Sequence, residues 1–487
     1  MEYCVAIVFL TFLCVCLSQI ENDDTGQPTN TNVVCSVCTC EQHYVDCSGK
    51  EIKKMFQEEE WADLNVTGIL NLDFSGNPLN ILYKVPDLPI SKLNLSHCEL
   101  GDIVDGAFGE LEELESLDLS QNHLSTAAVS KKIFAAALLI PDGIPSPDAP
   151  KPVFSNMRNL SLAYNDIHAL PKDIFMFMPD LRLLDLSGNP LSLIDQVTMV
   201  ALSDIKLTDL SLASCELESL PEGLLRRQRR LKRLDLSNNR FTTIPSVLGE
   251  AVNLVALNFD RNSLTNLTEK TALLSLNKLQ ELRLCRQSRL QFIAAGALGG
   301  LESLTSLYIT NNPRLNTIDP GFLTWEDEHE NEQTPQLEEL YLNNNNITSI
   351  SSEFLDNWHQ LKRADFSSNP YVCDCNNQWM VEVLVPLLFK MDLGGITANM
   401  ICKKPSDVRG LSFEALQLTN RTLVCAEMEE INSVPAPDMA ILLGVMIGIF
   451  VTFPIVLVLV ILWKKGYFQK WRKVKADETD YEDDDAF

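Results

Sequence analysis

The sequence predicts an α/β solenoid: stacked units with a parallel β-sheet on the concave side, disulfide caps at both ends and one transmembrane helix. Three observations predict it. The spacing Leu-x-x-Leu-x-Leu-x-x-Asn-x-Leu recurs about twelve times between residues 65 and 372. Cysteine clusters flank that stretch, with Cys35, Cys38, Cys40 and Cys47 before it and Cys373, Cys375, Cys402 and Cys425 after it. Residues 439–463 carry no charged side chain.

The repeat is clearest at Leu181, Leu184, Leu186, Asn189 and Leu191, and again at Leu231, Leu234, Leu236, Asn239 and Phe241. Its marker position runs Asn77, Cys98, Asn122, Asn165, Asn189, Cys215, Asn239, Asn262, Gln287, Asn312, Asn345 and Asn369, mostly 21 to 26 residues apart. Leucines alternating over a short stretch suit a strand with one buried face. A side-chain amide at the strand's end can bond the backbone of its own turn and of the neighbouring unit. Gln287 marks the weakest unit, because Arg289 stands where a leucine is expected.

This spacing resembles the leucine-rich repeat family, and Ala169-Leu170-Pro171 through Phe175 resembles its extracellular class of roughly 24 residues. The resemblance covers about residues 65–372 and implies a horseshoe. It also implies that Cys98 and Cys215 at marker positions are buried free thiols; Cys285 is left unassigned. The flanking clusters look like the cysteine-rich caps of extracellular members. Four cysteines allow three pairings, so spacing alone leaves the choice open. The resemblance implies Cys35–Cys40, Cys38–Cys47, Cys373–Cys402 and Cys375–Cys425. A zinc site is the rival reading of Cys-x-x-Cys, but an exported chain without a paired histidine favours disulfides.

Membrane and export signals set the expected organisation. Residues 1–18 read as a signal peptide, too short to span hydrocarbon. Residues 19–64 form an N-terminal region with its cap, 65–372 the repeats, 373–426 the C-terminal cap, 427–438 a stalk, 439–463 the membrane helix and 464–487 a cytoplasmic tail. Insertions are expected near 125–156 and 324–336, the first rich in proline. Lys464, Lys465, Lys470, Arg472, Lys473 and Lys475 follow the apolar segment, which orients the N-terminus outside, at the plasma membrane. The net charge of -27 argues against a nucleic-acid partner.

Several surface features are candidate sites. Sequons at Asn65, Asn94, Asn159, Asn266, Asn346 and Asn420 are glycosylation acceptors if exposed. Glycans on Asn94 and Asn159 would obstruct the N-terminal half of the concave face. The central outward position of successive strands reads Asp73, Asn94, Asp118, Ser161, Asp185, Ser211, Asp235, Asn258, Arg283, Tyr308, Tyr341 and Asp365. The change to Arg-Tyr-Tyr, types enriched at binding hot spots, points to a binding patch of Arg283, Arg286, Tyr308 and Tyr341. The alternative is that tyrosine merely suits strands. Arg226 to Arg233 is a basic island, either a solvated face or a site for a sulfated glycan or acidic partner. In the tail, Tyr481 reads as a kinase substrate and Phe487 as a handle for a cytoplasmic scaffold, against a plain solvated tail.

No catalytic constellation, metal spacing or cofactor motif is evident, and the six histidines show no ligand pattern. The chain is therefore expected to be no enzyme, with neither metal nor cofactor. It reads as a cell-surface recognition protein, an adhesion molecule or receptor whose repeats bind a protein ligand, homophilic binding included. Its plan resembles the adhesion proteins Tartan and Capricious and trophoblast glycoprotein. The alternative is an auxiliary subunit or co-receptor that modulates a channel or signalling receptor.

Overall fold

The computed structural model describes residues 33–61, 64, 68–109, 111–134, 154–268, 272–327, 329–357, 360–391, 393–425 and 436–466. The signal peptide, Asn65, the proline-rich part of the first insertion, most of the stalk, Tyr481 and Phe487 lie outside them.

Among the described residues, fourteen strands form one sheet. They are β1 Thr39–Glu41, β2 Tyr44–Asp46, β3 Leu70–Asp73, β4 Ile90–Asn94, β5 Ser116–Asp118, β6 Asn159–Ser161, β7 Leu183–Asp185, β8 Asp209–Ser211, β9 Arg233–Asp235, β10 Ala256–Asn258, β11 Glu281–Arg283, β12 Ser306–Tyr308, β13 Glu339–Tyr341 and β14 Arg363–Asp365. The β1–β2 hairpin is antiparallel, and every later pairing is parallel. The chain is thus a solenoid of stacked parallel strands.

Each strand is short because its ends are chemically set. The central leucine, from Leu72 through Leu340, is at most 3% exposed and packs into a single continuous core. Its two neighbours face outward, so the strand buries only one face. A residue with positive φ stops the strand just before each marker position, for example Gln121, Tyr164, Gly188, Asn238, Arg261 and Arg286. The marker then reaches back across the stack. Asn189 donates from Nδ2 to the carbonyls of Leu162 (2.8 Å) and Leu186 (2.9 Å), and its Oδ1 accepts from Ile167 N at 3.1 Å. Such a ladder satisfies backbone groups that burial would otherwise leave orphaned.

The atypical markers keep the ladder by other means. Cys98 and Cys215 donate their thiols to Phe74 O and Leu186 O, each at 3.2 Å, in place of the amide. A thiol has no carbonyl to offer, so the main-chain oxygens of Cys98 and Cys215 accept from Leu79 N (3.0 Å) and Ser192 N (2.9 Å). Gln287 performs both roles itself, accepting from Leu264 N at 3.2 Å and donating to Phe259 O at 2.7 Å. Its unit closes on buried Leu290 beside exposed Arg289. Cys285, which sequence leaves open, is buried.

Disulfides Cys35–Cys40, Cys38–Cys47, Cys373–Cys402 and Cys375–Cys425 tie the two flanks. At the first end, Trp61 and Phe56 close on Phe74. At the other, buried Tyr371 donates its hydroxyl to Phe366 O at 2.6 Å and meets Phe413 edge-on. Open solenoid ends need such covers. The second insertion folds as a hairpin pairing Trp325–Glu326 with Glu332–Gln333.

Ala436–Lys464 is a 29-residue helix interrupted by no break at Pro454. Its described side chains are confined to residues 447–448 and 450–464. Among the described residues no helix is long and apolar enough to cross a membrane. The crossing expected at 439–463 is therefore not carried by them.

Candidate recognition surface

The strand register fixes which side chains meet on the concave face. Asn258, Arg283, Tyr308 and Tyr341 lie directly opposite one another on β10, β11, β12 and β13. The rings of Tyr308 and Tyr341 stack with centroids 5.0 Å apart and planes 5° from parallel. The guanidinium carbon of Arg283 lies 4.7 Å from the Tyr308 centroid. Parallel strands about 4.8 Å apart hold identical side chains at stacking distance, so the register itself makes this column.

Carboxylates from outside the column lock it. Asp260, two residues past β10, pairs through Oδ2 with Arg283 Nε at 3.3 Å. Its other oxygen accepts from Cys285 N at 2.7 Å, which fixes the carboxylate to the main chain. Glu281 approaches Arg283 at 3.6 Å. Tyr308 donates its hydroxyl to Glu339 Oε2 at 2.8 Å, while Glu339 also pairs with Arg363. Burial, with that hydrogen bond, pushes the Tyr308 phenol up to about 12. The Tyr341 hydroxyl has no protein partner among the described residues. The result is a preset aromatic and cationic column, with Tyr341 free to take a new hydrogen bond. Cation–π and stacking contacts of this kind contribute about 0.5–1.5 kcal/mol each.

Beside the column lies a concavity of about 300 Å³. Its lining includes Asp185, Ser211, Asp235, Ala256, Glu281 and Arg283. Ala256 makes a notch between the longer Arg233 and Glu281 that flank it in register. A protruding ligand side chain would find carboxylates here and an aromatic surface next to them.

The four residues singled out by sequence separate into three and one. Arg283, Tyr308 and Tyr341 meet. Arg286 lies beyond the strand at a positive φ of 56°, with its N–H donating to Thr310 O at 2.9 Å, so it occupies the turn rather than the column. Asp260, Glu281 and Glu339 were missed. Glu281 and Glu339 could have been found, because the first strand position faces outward as the third does.

The basic island divides too. Arg226 pairs with Glu250 at 3.1 Å, Arg227 with Asp204 at 3.8 Å and Arg233 with Asp209, while Gln228 is buried. Of the sequons, Asn159, Asn266, Asn346 and Asn420 are exposed. Asn94 is half-buried, and its amide nitrogen donates to Asp73 Oδ2 at 3.1 Å.

Comparison with known proteins places these units in context. Models described as leucine-rich repeat match residues 155–206 and 205–264, and a second such model matches 336–358. Toll-like receptor 2 of Macaca mulatta and of Macaca fascicularis are each 29% identical over 126 residues, 24% of this chain. The match spans only 14% of the length of those relatives. A leucine-rich repeat protein of Leptospira interrogans shares the fold, with a TM-score of 0.50 and 23% identity over 67% of this chain and 79% of its own.

Proposed function

We propose that this chain is a cell-surface recognition protein, an adhesion molecule or receptor that binds a protein ligand on the C-terminal half of its concave sheet. One observation carries the reading: Arg283, Tyr308 and Tyr341 form an ordered, solvent-facing column beside a concavity lined by carboxylates. Rigid aromatic and arginine anchors are the residues that carry most of the energy in protein interfaces. The column is already held in place by Asp260 and Glu339, so binding would cost little side-chain ordering. The similar relatives bear the name of a receptor.

The helix Ala436–Lys464 belongs to this reading as a membrane anchor. Its described side chains, among them Phe450, Phe453 and Trp463, are exposed along the helix. Exposed apolar surface of that extent needs a cover. The uncharged run 439–463 is long enough to be covered by hydrocarbon. The signal peptide, the glycans and the plasma-membrane address stand or fall with that anchor.

The test uses cells displaying the full chain, mixed with unmarked parental cells. Clustering, homophilic or mixed, that is lost in a Tyr308→Ala/Tyr341→Ala variant with unchanged surface display supports the reading. Clustering unaffected by the double variant removes the column from it. A chain that never clusters but co-purifies with a channel would be an auxiliary subunit instead.

A further inference from the structure

We propose that the edge of the solenoid from which β6 to β11 start is a binding site for a linear sulfated polysaccharide. The backbone builds this edge. Arg182 N donates to Arg158 O, Thr208 N to Arg182 O, Lys232 N to Thr208 O and Val255 N to Lys232 O, each at 2.8 Å. The residues that precede the strands therefore stand in one column, and Arg158, Arg182 and Lys232 belong to it. Two residues earlier in their units come Lys206, Arg230 and Lys278, of which Lys206 and Lys278 add two further turns of the same edge while Arg230 shares the turn of Lys232. Asn253 ties part of this second row together, donating to Arg229 O at 3.0 Å and accepting from Lys278 Nζ at 2.7 Å.

These six cations are exposed, and none is in an ion pair among the described residues. That sets them apart from Arg226, Arg227 and Arg233, whose charges carboxylates already answer. On a chain of net charge -27, six unanswered cations on one edge form a local reversal of sign. Asp180 shares the edge, and Asp209 and Glu281, the first residues of β8 and β11, lie beside it paired with Arg233 and Arg283. Five strand intervals of about 4.8 Å give the row a length of roughly 24 Å. All six side chains stand in solvent rather than in a pocket, so the edge offers charge on five of its six turns, with Leu183 beside Arg182 as an exposed apolar neighbour. A stiff chain with repeating sulfates matches that arrangement. A folded or peptide partner would ordinarily need a buried hot spot.

The edge is distinct from the Tyr308 column, so the two can be tested apart. The full chain, solubilised in detergent, is passed over immobilised heparin. The wild type is retained at physiological salt, and Arg182→Gln/Arg230→Gln/Lys232→Gln weakens binding at least about tenfold. The matched triple Arg226→Gln/Arg227→Gln/Arg233→Gln, equal in charge change, stays within about twofold because those arginines are already paired. Thermal midpoints show that both triples remain folded. No retention of the wild type, or equal loss in both triples, overturns the proposal. So does polyglutamate that competes as well as heparin at equal charge, which would assign the edge to an acidic peptide. Tyr308→Ala leaves retention unchanged in either case.

Discussion

The phenol of Tyr308 donates to a carboxylate, Glu339 Oε2, 2.8 Å away on the next strand. The hydroxyl that a ligand would find on the neighbouring Tyr341 is thereby the unused one. Tyr308 works as a fixed platform and Tyr341 as the part that can answer a partner.

Titration should expose this division. The Tyr308 phenol is raised above its ordinary value to about 12, first by burial and then by Glu339. A raised phenol favours the neutral form in the folded chain. Its contribution is fully present below the unfolded value near 10 and is lost as pH rises through 10 towards 12. Tyrosinate absorbance of the full chain should lose its component near 12 in Tyr308→Phe. Glu339→Gln should move that component down, and an unmoved component would disconnect Glu339 from it.

The ladder predicts unequal costs for its members. Asn189→Ala removes two donated bonds and one accepted bond among buried groups, a loss of about 3 kcal/mol. Cys215→Ala removes one thiol bond and little volume, a loss of about 1 kcal/mol. Hydrogen exchange at Ile167, whose N–H loses its acceptor in the first variant alone, should accelerate far more in that variant. Repeat arrays need not unfold in two states, so a local probe is the better measure.

Free thiols should be inert in the native chain. Burial pushes Cys98 up to about 11 and Cys215 up to about 12, and it raises Cys285 as well. The thiolate is the reactive form. Iodoacetamide at neutral pH, read by peptide mass, should label these three only after denaturation. Native labelling of Cys285 would mean that the turn after β11 opens.

Gly300 is a position where no side chain fits. Its φ is +75°, and a Cβ would lie 2.9 Å from the carbonyl oxygen of Leu274 in the preceding unit. Gly300→Ala should therefore cost about 1–3 kcal/mol, through backbone strain and separation of the two units. Thermal melting of the variant checks it, and an unchanged midpoint would show that the units slide apart freely.

The solenoid was legible because leucine spacing reports a one-sided strand and recurs with each unit. Residues Asp73 through Asp365 could be placed outward from the same alternation. Less legible was what holds Arg283. Asp260 lies after β10, 23 residues from Arg283, and Glu339 starts β13, 31 residues from the Tyr308 it anchors, so only the register brings them to one guanidinium and one phenol. The basic island divides for a related reason: Arg226, Arg227 and Arg233 are neighbours along the chain but pair with carboxylates before and after it, while Arg230 and Lys232 are in no ion pair among the described residues. The charge that remains unanswered comes from five units, and only Arg230 and Lys232 of it fall within one stretch.

The marker ladder spans its insertions without noticing them. Leu124 N reaches Asn165 Oδ1 across 41 residues and Asn312 N reaches Asn345 Oδ1 across 33, at 3.0 and 2.8 Å, much as neighbours 22 to 25 residues apart do elsewhere. The length of chain between two markers and the bond that joins them are thus separate variables in this protein. New sequence can be added between Asp327 and Asn331 as a graft, carrying an epitope or a second specificity, while the register that aligns Tyr308 with Tyr341 stays as it is.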